Sequence, residues 1–261
     1  MKQTDKDNRS FGIDAGMLRL FAILFMILDH LWATVVRGNL WMTCLGRLAF
    51  PIFAFQLCEG YRHTSDYRRY GLRLLVFALL SEIPFNLFYA GSVFFPFHQN
   101  VLFTLLLGLL AIRQADELRR EEGIKKKSLR CLALLLILAG GVLLFPDYGF
   151  MGVMTVLCFF VFRNHRLFQL AAMAVLNIFA FEGQTIPVSL FGLAFDFPIQ
   201  GFALLALPLI WLYNGEKGPG GKGLRLFWYI FYPLHMLVLY FIQLLVSSKA
   251  QKRRRIPYSE V

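Results

Sequence analysis

Residues 18–32 read LRLFAILFMILDHLW, part of an apolar run of about 20 residues, the length that crosses a bilayer as an α-helix. Inside it, Asp29 and His30 stand side by side. An acid and an imidazole at that depth are costly to bury. They mark either a polar contact between helices of a structural bundle or a site of reaction or transport within the membrane.

Working outward from this stretch, apolar runs recur along nearly all of the 261 residues, which are 57% hydrophobic and include 28 Phe. Mean hydropathy is +0.57. The expected fold is all-α: a polytopic transmembrane helical bundle, one integral-membrane domain with its N-terminus cytoplasmic. Spans are expected at 17–36, 41–60, 70–90, 100–114, 129–145, 150–163, 166–182, 197–213 and 225–246, about nine within a range of eight to ten. The polar remainder is the tails 1–15 and 248–261 and a charged connection at 114–128, QADELRREEGIKKKS, expected to be a solvated extension of the fourth span. The first run follows a region with as many acids as bases and precedes no small-x-small cleavage signal, so it reads as a retained helix. Cys44, Cys58, Cys131 and Cys158 lie in or beside apolar runs without CxxC or Cys/His ligand spacing. They form neither a disulfide framework nor a metal site.

Loop charges set the orientation. Arg62, Arg68, Arg69 and Arg73 follow the second span, Arg113 to Arg130 inclusive supplies seven further bases, and Arg163 and Arg166 flank a short hairpin. The connections at 91–99, 146–149 and 183–196 contain no Lys or Arg and belong outside. Nine spans then place the basic tail Lys249, Lys252, Arg253, Arg254 and Arg255 outside, against the rule. A tenth crossing within 183–213, a re-entrant short segment or a tail that breaks the rule would each account for it. The net charge of +11 is mostly loop and tail charge, which anionic lipid headgroups explain before nucleic acid does.

With this orientation, polar groups from separate segments reach similar depth. Asp29 lies about 18 Å above the inner end of its span at 1.5 Å per residue. Arg47 stands near the outer end of the second span, and Glu82 and Asn86 share a face of the third. His98, Gln99 and Asn100 open the fourth span, and Asp147 with Tyr148 forms the next outer turn. Pro51, Pro84 and Pro233 each free a carbonyl four residues earlier, within four residues of Arg47, Glu82 or His235.

The ordered motifs MILDH, GRLAFPIFAFQLCEGY, LLSEIPFN, QNVLFTLLLGLLA, DYG and FYPLH resemble the TraX family, named for the pilin acetylase of conjugative plasmids and distantly similar to membrane-bound acyltransferases. The likeness runs from the first span to the last. It implies a multi-pass protein of the bacterial inner membrane that takes acetyl groups from acetyl-CoA. The acceptor it implies is an amine or hydroxyl on a peptide such as a pilin N-terminus, on a glycan or on a small molecule.

Acyl transfer needs a base for the acceptor proton and donors for the oxyanion that forms at the acyl carbon. His30 is the first candidate base, and His235 the second, as base or acyl carrier. Consecutive helical side chains diverge by about 100°, so the group orienting His30 is expected from another helix, with Glu82 and Asp147 as candidates. Asp29 is expected to act in the site or to pair with Arg47. Arg47, Asn86, His98, Asn100, Asp147 and Tyr148 are candidate substrate and oxyanion groups. Glu59, Arg62, Arg68, Arg69 and Arg73 are candidates for holding the CoA phosphates. GEKGPGGKG at 215–223 lacks the flanking strand and helix of a phosphate loop. A transporter or flippase with an Asp29, His30 and Glu82 proton relay is the alternative from another class, although the two halves of the chain show no internal repeat.

Overall fold

The structure is a computed structural model that describes residues 12–36, 38–180, 183–190, 192–218 and 222–254. The ends of both polar tails, and the basic side chains at 249–255, lie outside the described residues. Ten α-helices are seen among those described: α1 (Ala15–Thr34), α2 (Leu40–Gly46), α3 (Ala49–His63), α4 (Tyr67–Ala90), α5 (Val101–Arg120), α6 (Ile124–Leu143), α7 (Gly149–Val161), α8 (Arg166–Ala174), α9 (Ala206–Trp211) and α10 (Lys222–Arg254).

Local chemistry sets several boundaries. Asp14 accepts the Met17 amide at 2.8 Å to start α1, and Asp66 accepts the Arg69 amide at 3.0 Å to start α4. α4 ends where Gly91 turns left-handed at φ 65°. Asn100 caps α5, its side-chain oxygen accepting the Leu102 amide at 3.1 Å.

Most apolar runs fold as helices, and among the described residues four helical stretches, against about nine expected spans, are long and apolar enough to cross a membrane: Ala15–Thr34, Leu40–His63, Tyr67–Ala90 and Phe227–Ser248. Leu79, Leu80 and Ile83 of α4 point outward although they are apolar, as helices that meet lipid tails do. The expected seventh and eighth spans are shorter. Arg166–Phe179, finished by a π-helical turn, and Ile199–Trp211, begun as a 3₁₀ helix at Ile199–Leu205, each rise about 20 Å.

Two readings are refined by the structure. Of the three accounts of the basic tail, a tenth crossing helix within 183–213 is not seen among the described residues. Instead β1 (Thr185–Leu190) pairs antiparallel with β2 (Leu193–Pro198), Val188 opposite Phe195, because β-branched and aromatic residues alternate where proline excludes a helix. The second span is also not one continuous helix. It breaks at Arg47 and Leu48, so Pro51 falls in the first turn of α3, where no intrahelical donor is lost.

The charged connection is likewise more than a solvated extension. α5 does continue to Arg120, but Arg130 of α6 reaches Glu117 at 2.6 Å and Glu121 at 3.6 Å, fastening α5 to α6.

α1 packs against α2, α3 and α10, and α5 against α4, α6 and α7. α1 and α10 run in the same direction. Arg19 and Trp228, near their first ends, line a shared cavity, and His30 and His235 meet further along the two helices, beyond the residues that line it.

Candidate functional site

His30 lies near the C-terminal end of α1 and His235 near the middle of α10. Nδ1 of His30 lies 2.8 Å from Nε2 of His235, with the two rings within 2° of parallel. Nδ1 of His235 lies 3.0 Å from the carbonyl oxygen of Phe231. A carbonyl only accepts, so His235 carries its proton on Nδ1 and offers a lone pair at Nε2. His30 must then donate from Nδ1, which leaves the lone pair of its own Nε2 available as a base. The ring of Phe88 closes one side, its centroid 5.0 Å from that of His30. The group that orients His30 is therefore His235, and not Glu82 or Asp147, each of which is engaged elsewhere.

One residue back, Asp29 faces α2. Its Oδ1 accepts from Arg47 Nη2 at 2.6 Å and from Thr43 Oγ1 at 2.7 Å. Arg47 caps the end of α2 and also reaches Gln200 Oε1 at 3.5 Å, while Gln200 Nε2 donates to Asn177 Oδ1 at 3.0 Å. The approach depends on Gly46, because a Cβ there would collide with the Asp29 side chain. Arg47 Nε is buried with no hydrogen-bond partner among the described residues. The guanidinium is within electrostatic reach of the His30 ring.

A second polar group lies between α4, α5 and the turn before α7. Asn100 Nδ2 donates to Glu82 Oε2 at 2.6 Å and to the Ala78 carbonyl at 2.8 Å. His98 Nε2 lies 3.8 Å from Asp147 Oδ1, and its ring stacks on Tyr89 at 4.4 Å. Asn86 donates to the Val93 carbonyl at 3.3 Å. Thr104 donates to the Asp147 carbonyl. Burial pushes the Asp147 carboxyl above the ordinary carboxylate range, against the pull of His98 and Arg47 and with a further push from Asp29. Burial likewise raises the Tyr148 phenol. Tyr148 stands at φ 62° and stacks on Phe50 with centroids 4.1 Å apart, so the turn is held in a conformation that side chains other than glycine rarely adopt.

The candidate phosphate-holding residues divide. Glu59 is buried in an ion pair with Arg163, 2.7 Å from its Nε, and Arg69 pairs with Asp66 at 3.2 Å. Arg62 and Arg68 are exposed and line neither of the two cavities found at this end of the bundle. Arg73 lines the inner of these cavities and lies over the Tyr70 ring at 5.5 Å.

Thr43, Asn177 and Gln200 were not singled out from sequence. An uncharged polar residue in an apolar helix is common, but Asn177 and Gln200 are each almost fully buried, which is the signal that separates them. Among the described residues, no three His, Cys, Asp or Glu side chains gather as a metal ion would require.

Comparison with known proteins agrees with this arrangement of motifs. A family model described as TraX protein matches residues 15–243. Over 247 residues the chain is 29% identical to a protein of Dichelobacter nodosus described as "Probable fimbrial assembly protein FimC, serogroup H1", covering 89% of this chain and 96% of that one. No solved structure matches.

Proposed function

The chain belongs to the TraX family, and from that premise we propose that it is a multi-pass acetyltransferase of the bacterial inner membrane. It moves an acetyl group from acetyl-CoA to an amine or hydroxyl acceptor. The observation that carries this reading is the His30–His235 pair, whose hydrogen bonds leave His30 Nε2 as a base inside the bundle. The description of the relative from Dichelobacter nodosus supports a fimbrial subunit as the acceptor.

In this reading the acceptor nitrogen or oxygen attacks the thioester carbonyl as His30 Nε2 takes its proton. Positive charge on the imidazole is shared with His235 through the 2.8 Å bond. Arg47, whose Nε–H has no partner among the described residues, supplies a donor for the oxyanion. Collapse of the tetrahedral intermediate breaks the C–S bond, and the leaving thiolate recovers the proton from His30. The products are acetylated acceptor and free CoA, with no covalent acetyl-histidine required.

The basic loops support an orientation with the Arg19 end of α1 on the cytoplasmic side, where CoA is found. Asp29, Asn100 and Asp147 then face the outer half. A proton relay through Asp29, His30 and Glu82 is less well supported, because each has its partner elsewhere, on Arg47, His235 and Asn100 respectively.

The test is to incubate purified protein with radiolabelled acetyl-CoA and peptide amine or sugar acceptors. Wild type should label an acceptor and His30→Ala should not. Equal labelling by both would remove His30 from the chemistry.

A further inference from the structure

Two cavities adjoin at the end of the bundle where α1 and α10 begin. The inner one, of about 350 Å³, lies between α1, α3, α4, α5 and α10. It lies near the small end of the roughly 300–1,000 Å³ typical of small-molecule sites. The outer one, of about 1130 Å³, lies between α1, α3 and the segment from Tyr213 to Gly218. Arg19, Gln56, Gly60, His63 and Trp228 line both, so they stand where the two meet.

The inner cavity changes character along its length. At the shared end it meets Arg19 and His63, and Arg73 also lines it. Its other walls are apolar or aromatic, among them Met26, Leu102, Leu105 and Phe231. Met26 and Phe231 are each one helical turn before a member of the histidine pair. From Arg19 to Met26 is about 10 Å along α1, and His30 is about 6 Å further. Pro233 has no N–H to give the Tyr229 carbonyl, which leaves an acceptor on the α10 wall.

We propose that these joined chambers are the donor site, with the phosphorylated nucleotide of acetyl-CoA in the outer chamber and its thioester arm threaded through the inner one to His30. The inference rests on the acetyl-transfer reading above and assigns the residues that select the donor. Arg19 at the junction and Arg73 on the inner chamber's wall hold phosphate. Neither forms an ion pair with a carboxylate among the described residues. Three carboxylates line the outer chamber and each is engaged, Asp14 as the cap of α1, Glu59 in its pair with Arg163, and Glu216 with a partner of its own. The apolar inner walls suit a narrow, uncharged arm, whose amide N–H can meet the Tyr229 carbonyl. Arg62, Arg68 and Arg69, outside both chambers, have no part in donor binding.

The test separates binding from transfer. Equilibrium binding of radiolabelled CoA is measured on detergent-solubilised wild type, Arg19→Ala/Arg73→Ala, Leu105→Trp and His30→Ala, each confirmed as folded by its elution profile. Acetyl transfer is measured in parallel from acetyl-CoA and from S-acetyl-N-acetylcysteamine, a short thioester without phosphates. The expected result is at least a 10-fold rise in Kd for CoA in the arginine double variant and in Leu105→Trp, with unchanged Kd in His30→Ala. The arginine variant should keep wild-type transfer from the short thioester, because that donor has no phosphate to lose. CoA binding that survives both substitutions, or equal loss of transfer from the two donors in the arginine variant, overturns the assignment. Wild type that binds CoA through these residues but transfers nothing overturns only the acetyl-transfer reading. Wild type that binds no CoA overturns both.

Discussion

His30 and His235, separated by 205 positions in sequence, share a 2.8 Å hydrogen bond whose direction is fixed by a third group, the carbonyl of Phe231. Two imidazoles alone leave the proton's position undecided. A carbonyl at one end decides it, and the base emerges at the other end. In the proposed reaction His235 would be a positioning residue, comparable in role to the group that holds the catalytic imidazole of a hydrolase in one tautomer.

His235→Ala should therefore lower kcat by roughly 10²-fold, because a disoriented base forfeits much of a general-base contribution of about 10²–10⁴. KM for the acceptor should barely move. His235→Gln should recover part of the loss, since its amide oxygen accepts from His30 Nδ1–H. Steady-state kinetics of the two variants decide the matter, and a glutamine variant as impaired as the alanine one would argue for direct chemistry at His235.

Asp29 acts on the fold more than on turnover. Its removal leaves the Arg47 guanidinium without its carboxylate in a half-buried position. A fully buried pair broken on one side costs about 3–5 kcal/mol. With the two side chains 22% and 20% exposed, solvent reduces the expected cost for Asp29→Ala to about 2 kcal/mol. Asp29→Ala combined with Arg47→Met should restore stability without restoring activity. Thermal unfolding in detergent reads this directly, and a double variant no more stable than the single one would contradict it.

Gly46→Ala should resemble Asp29→Ala. The added methyl meets the Asp29 side chain itself and not a flexible end elsewhere, so the carboxylate must leave Arg47. Overpacking of this kind costs about 1–3 kcal/mol. A Gly46→Ala protein as stable as wild type would show that α1 and α2 can separate there without loss.

Glu59 and Arg163 form a structural clasp between α3 and the end of α7. Glu59→Ala should lower the unfolding midpoint while leaving the KM for acetyl-CoA within about twofold, because Glu59 borders the outer chamber with its charge already held by Arg163. A large rise in that KM at unchanged stability would return Glu59 to the donor site.

Asp147 predicts a pH dependence. Burial raises its folded-state pKa above the unfolded value of about 3.9. Between those two values the folded chain keeps a proton that the unfolded chain has released. Stability is therefore greatest below the window and falls as pH rises through it. Asp147→Asn should flatten this part of a pH–stability curve, and a curve parallel to wild type would remove Asp147 as its source.

The apolar runs were legible because bilayer thickness and the 1.5 Å rise per residue turn hydropathy into helices. The six motifs from MILDH to FYPLH carried the family. Depth counting puts Asp29, Arg47, Glu82, Asn100 and Asp147 at one expected level, and the structure joins Asp29 to Arg47 and Glu82 to Asn100. Rotation about each helix axis and the pairing of distant helices are not written in that count. Only the tertiary structure could place His235 rather than Glu82 beside His30, give Glu59 to Arg163, or bring Gln200 and Asn177 behind Arg47. The break at Arg47 and the hairpin at 185–198 belong to the same class. An apolar stretch states that it will be buried or meet lipid, while its packing partners decide whether it stays one helix, bends or pairs as strands.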